Sequence, residues 1–158
     1  MELEKAETLT INLIGQFGLR KEWNFWQFNW DRSKNRFGLC NYKKKIISLS
    51  KDLVSLNNEE EVRKTILHEI AHALTGKGNG HNKKWRDTLI SIGGDGRRCY
   101  NAAKVISPAP KYLGECKTCN KTIKRHRRLR LYCKLCFFRF GQGKINTDFE
   151  FIWKEVIA

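Results

Sequence analysis

The chain has 158 residues, 41% of them apolar, and carries 31 Lys and Arg against 16 Asp and Glu, a formal charge of +15. That length suits one compact domain, or one domain with a small appendage, and the apolar share is enough for a real core. The charge argues for a polyanionic partner, nucleic acid before membrane, because no stretch reads as a basic amphipathic membrane helix. The opening Met1-Glu2-Leu3-Glu4-Lys5 is acidic and no long apolar run follows, so neither a signal peptide nor a membrane span is expected. With four of the six cysteines at zinc spacing, the expected setting is reducing and intracellular, cytoplasmic or nucleoid/nuclear, with the chain a monomer.

Residues 2–18 place Leu3, Ala6, Leu9, Leu13, Ile14 and Phe17 at helical spacing with Gly18 as a stop, which predicts a packing helix. From Trp23 to Trp30 apolar and polar residues roughly alternate, so Trp26, Phe28 and Trp30 share one face of a predicted strand, read as core and not as a base-stacking stripe. After a turn over Asp31–Asn35, Phe37–Tyr42 and Lys45–Ser50 read as two more strands of a small antiparallel sheet. Ser50 or Lys51 opens a short helical piece through Leu56, and Asn57 or Asn58 caps the next helix, with Glu59, Glu60 and Glu61 in its first turn.

That helix contains His68-Glu69-Ile70-Ala71-His72. Histidines four apart lie on one helix face, where both imidazoles reach one Zn²⁺, while Glu69 is placed to take a proton from water at the metal. Val62, Ile66, Ile70 and Leu74 form the opposite, core-facing stripe. Gly76, Gly78 and Gly80 then permit a sharp reversal that brings His81 back as third ligand and leaves a fourth position open, as a catalytic zinc requires. Eight residues separate His72 from His81, three more than in the metzincin pattern, so that group is not indicated. Trp85, Leu89 and Ile92 form a short amphipathic helix ended by Gly93-Gly94, with Trp85 anchoring the His81 return. Residues 97–106 are hard to read; Cys99 and Cys40 are taken as small buried hydrophobes.

Both prolines fall in Ser107-Pro108-Ala109-Pro110, which sets the boundary between a 1–107 core and a 108–158 appendage. The appendage holds Cys116-x-x-Cys119 and Cys133-x-x-Cys136 with thirteen residues between the pairs, a structural zinc ribbon by its paired knuckles. Between them a strand or β-ribbon is expected over 121–131, carrying Lys124, Arg125, Arg127, Arg128 and Arg130 as nucleic-acid contacts, and His126 as a phosphate contact. From Lys111 to Lys144 there are eleven Lys and Arg and one acid, Glu115. Phe149, Phe151 and Trp153 alternate with polar residues toward the end, as in a final strand.

Taken together, Phe37-Gly38-Leu39-Cys40, the Ile46–Ser50 strand, His68-Glu69-Ile70-Ala71-His72, the glycine-flanked His81 with Trp85 after it, and a four-cysteine ribbon with Arg125-His126 resemble the SprT-like metallopeptidases. That family includes Spartan, the DNA-dependent protease of DNA–protein crosslink repair. The resemblance covers roughly residues 20–140 and departs at Asn82, where a glycine is expected. It implies an α+β fold: a zincin-like core of helices and a small antiparallel sheet, plus the zinc ribbon. His68, His72 and His81 would bind a catalytic zinc with Glu69 as base, and Cys116, Cys119, Cys133 and Cys136 a structural one. The implied function is a DNA-associated zinc metallopeptidase cutting proteins bound or crosslinked to DNA, its partners being DNA and those substrates. The competing reading is a non-enzymatic zinc-ribbon nucleic-acid or transcription-associated factor; the intact Glu69 speaks against it.

Overall fold

The computed structural model describes residues 1–99 and 103–156, and the chain divides into two compact units, Met1–Pro108 and Ala109–Ala158. It is a mixed α+β protein with small sheets. In the first unit, α1 (Leu3–Gln16) ends at Phe17 and turns through Gly18 at φ +72°. A short hairpin of β1 (Arg20–Lys21) and β2 (Asn24–Phe25) follows, then β3 (Gln27–Asp31), β4 (Gly38–Asn41) and β5 (Ile46–Ser50).

The main sheet has the order β3-β5-β4 and is mixed, which corrects the antiparallel expectation: β5 pairs antiparallel with β4 but parallel with β3. The reason lies in β5, where Ile47, Ser48, Leu49 and Ser50 are all buried, so this strand needs partners on both sides. A tight 42–45 turn, in which Asn41 accepts from the Lys44 amide, fixes β4 on one edge. The segment after β3 is no hairpin turn. Asp31 accepts from the Ser33 amide, Arg36 and Ser48 Oγ, while the Ser33 carbonyl accepts from Ser50 Oγ, so the chain is carried past β5 before β4 begins. Strand β3 is left the other edge, and there it runs parallel.

Next come α2 (Lys51–Leu56), α3 (Glu59–Thr75) and α4 (Lys83–Ser91). Ser50 caps α2 and Asn58 caps α3, each accepting from a backbone N–H three residues on. Asn57 bonds both the N–H and the carbonyl of Ile106, a clasp that returns the end of the unit to the start of α3. Helix α3 is central: Val62, Ile66, Leu67, Ile70 and Ala71 are buried in the core with Leu13, Ile14, Ile47 and Leu49. Leu74 departs from the predicted stripe and is 39% exposed: in the last turn of α3 it is Ala71 and Thr75 that are buried, with Ala73 packed against the core.

In the second unit β6 (Tyr112–Cys116) lies between β7 (Thr122–Arg125) and β8 (Phe151–Glu155), both antiparallel to it. Helix α5 (Lys134–Arg139) begins directly after Cys133. The small core is Cys116, Cys133, Cys136, Phe149 and Phe151, with Trp153 laid over Gly114, where a Cβ would come within 2.8 Å of its ring. Among the described residues no helix is long and apolar enough to cross a membrane.

Candidate metal centres and the cleft beside them

His68 and His72 lie one turn apart on α3, and their Nε2 atoms are 3.3 Å apart. The chain leaves α3 through Gly76, Gly78 and Gly80, at φ +80°, +95° and +50°, conformations that L side chains rarely adopt. This return sets His81 Nε2 at 3.2 Å from each of the other two. Asn82, unexpected by family resemblance, has a local role: its side chain caps α4 by accepting from the Trp85 amide at 3.0 Å. Trp85 is fully buried, and its ring backs all three imidazoles at centroid distances of 4.6–5.3 Å. It walls the whole cluster, not His81 alone.

The triangle can be tested against a metal. Zn–N bonds of about 2.0–2.1 Å in a tetrahedron put donor nitrogens about 3.3–3.4 Å apart. The observed edges of 3.2–3.3 Å fit that spacing. Burial lowers the imidazole pKa values of His68 and His72 to about 4 and also lowers that of His81, so the rings are neutral with lone pairs available. The three histidines could thus hold a metal ion, and their geometry is consistent with zinc.

Glu69 is buried against β4. Burial pushes its carboxyl up to about 7, opposed by a hydrogen bond from the Cys40 backbone N–H. Gly38 makes the fit possible: a Cβ there would stand 2.8 Å from Glu69 Cγ and 2.9 Å from Oε1, closer than such atoms pack. Spacing in the sequence does not reveal this cradle, although a glycine within a strand is itself a signal of close approach. Cys40 is buried as expected, its thiol pushed up to about 12 by burial and by Glu69, hence unreactive. Cys99 corrects the sequence reading. It is exposed, on the rim of a cleft of about 300 Å³ that His68, Glu69 and His81 line. The cleft's lining carries Arg36, Lys64, Arg97, Arg98 and Lys104 with the acids Glu61 and Asp95; Arg36 is paired with Asp31 and Lys64 with Glu60 and Glu61.

Gly38→Ala is expected to retain metal and fold yet to displace Glu69. A misplacement of about 1 Å can cost about a hundredfold in rate. Activity measured beside metal content checks this: a loss in kcat with metal retained is the expected result, whereas wild-type kcat would remove the cradle from the account.

In the second unit the four thiols form one group, with all Sγ atoms within 4.8 Å of one another. Cys116–Cys136 and Cys119–Cys133 are 3.8 and 3.7 Å apart. Zn–S bonds of about 2.3 Å predict about 3.8 Å between donors, while a disulfide needs about 2.0 Å. The group therefore also fits zinc. Although burial opposes it, N–H groups of Cys136 and Leu135 and the neighbouring thiols bring Cys133 down to about 7, while burial raises Cys136.

The basic residues are placed less regularly than the sequence suggests. Lys124 and Arg125 stand on β7, but the strand stops there, so Arg127, Arg128 and Arg130 lie in irregular chain. Strand β8 and the residue before it also return acids to these cations: Glu155 stands 4.0 Å from Arg128 and Glu150 3.7 Å from Arg130. The unit's twelve Lys and Arg against four Asp and Glu leave it at +8, about half of the chain's excess. His126 is half-buried and lies outside the four-cysteine group.

A search of curated proteins finds no match to the chain. The SprT-like family model matches residues 8–104, which run from within α1 past α4 and include the histidine triangle and the cleft. With more than half of its length so matched, the chain belongs to the SprT-like family.

Proposed function

We propose that the protein is a zinc metallopeptidase with a zincin-like core, acting on proteins bound or crosslinked to DNA. The observation that carries this reading is a triangle of three neutral imidazoles with a buried carboxylate one residue from the first of them. His68, His72 and His81 would hold the ion and leave one position for substrate. Zinc there would supply a Lewis acid that polarises a scissile carbonyl and makes a water more acidic. Glu69, held by Gly38 and the Cys40 N–H, takes the water's proton on its carboxylate and delivers it to the departing amine. Trp85 packs against all three ligand rings from one side. A scaffold without activity would have no use for a three-histidine site with a fourth position open, or for a glutamate seated beside it against Gly38.

The four cysteines would hold a second, structural zinc. The basic residues around it bind DNA through its phosphates, and tethering places substrate and enzyme at high effective concentration. Membership of the family supports a DNA-associated activity of this kind. Neutralising Lys124, Arg125, Arg127, Arg128 and Arg130 together is expected to flatten the dependence of log affinity on log salt and abolish stimulation of cleavage by DNA. Arg128 and Arg130, with carboxylates nearby, should contribute least. Salt-series binding and cleavage assays check this; unchanged affinity in the five-site variant would make the run a solvated face.

A further inference from the structure

The β1–β2 hairpin carries its large rings outward: Trp23, in the turn, is 77% exposed and Phe25 is 45% exposed. Arg20 stands over the Phe25 ring at 5.1 Å and Lys21 over Trp23 at 5.8 Å. The 42–45 turn is held alongside. The Gln27 amide donates to the Lys45 carbonyl at 2.9 Å, Lys45 Nζ donates to the Trp23 carbonyl at 3.2 Å, and Trp26 meets Tyr42 edge-on at 6.3 Å. Exposed Lys43 and Lys44 thereby join Arg20, Lys21 and Lys45. Among the described residues none of these five forms an ion pair, and the two turns contain one acid, Glu22.

We propose that this surface binds single-stranded nucleic acid, with bases stacked on Trp23 and Phe25 and phosphates paired with the surrounding cations. Exposed rings between unpaired cations are the two elements such binding uses. Duplex DNA offers the cations its phosphates but keeps its base faces stacked on one another, so the rings would be idle. An acidic peptide would satisfy the charges and likewise leave the rings unused. An anionic membrane would need more apolar area than two side chains present. The contact belongs to the first unit, is additional to the cysteine unit, and does not depend on that unit binding DNA.

The test uses the full zinc-loaded chain in which Lys124, Arg125, Arg127, Arg128 and Arg130 have been neutralised, so that binding reports on the first unit. Fluorescence anisotropy of a labelled oligothymidylate is followed through a salt series. Trp23→Ala is expected to weaken binding at least about fivefold with the salt slope unchanged, since stacking is lost and no charge is. Lys21, Lys43 and Lys44 changed together to Gln should lower the slope by about 2, at about 0.7 per phosphate contact on a single strand. These side chains are exposed and carry none of the core, so circular dichroism and zinc content should match the parent, and a duplex of equal length should bind more weakly. The proposal falls if the parent binds no oligothymidylate, if Trp23→Ala binds as tightly as the parent, or if phosphatidylserine vesicles are bound in its place.

Discussion

Glu69→Gln is expected to abolish peptide hydrolysis, by about 10³-fold or more, while the metal and the fold remain. General acid–base groups contribute about 10² to 10⁴ each, and Glu69 is assigned both proton transfers. The amide is nearly isosteric, so it still fills the space beside Gly38 and still accepts from the Cys40 N–H. What it cannot do is take a proton. Metal analysis and thermal unfolding on the same preparation separate lost chemistry from lost structure. A rate within a few-fold of wild type would transfer the base to another group.

The two clusters should respond oppositely to ligand removal. Wild-type protein is expected to carry two zinc ions and His81→Ala one, with little loss of fold, because α3 and α4 keep their core of Val62, Ile66, Ile70 and Leu89. Cys133→Ser should also leave one ion, but with collapse of the second unit. Three of the five buried apolar residues there are cysteines, so a metal held by them would stand in for a hydrophobic core too small to stand alone. Structural zinc contributes about 10–16 kcal/mol of binding free energy in comparable small folds. Circular dichroism and proteolysis beside metal analysis would show it: an intact second unit without its zinc would contradict the assignment.

Helix α3 was readable because its cap, its acidic first turn and most of its buried face are local properties of consecutive residues. So was the return of His81, since three glycines in five residues permit the positive-φ turns that a sharp reversal needs. The pairing of β3 with β5 was not readable. Alternation shows which side chains of a strand share a face, but parallel or antiparallel pairing is decided by what the rest of the sheet leaves open. The seat of Glu69 escaped for a related reason: Gly38 and Glu69 are brought together by the packing of β4 on α3, which no spacing along the chain encodes. Long-range pairing also explains the overstated basic run, whose counter-charges Glu150 and Glu155 arrive just before and at the end of the last strand. The alternating stretch from Trp23 to Trp30 reads as one strand, whereas the structure divides it into β2 and β3 and leaves Trp23 exposed in the hairpin turn.

The most direct measurement is cleavage of a DNA-binding protein by the purified zinc-loaded chain, with and without DNA and with and without a chelator. The expected result is proteolysis that requires the metal, is raised by DNA, and is lost in Glu69→Gln. Absence of cleavage by protein shown to hold both zinc ions and DNA, or cleavage undiminished in Glu69→Gln, would contradict the account.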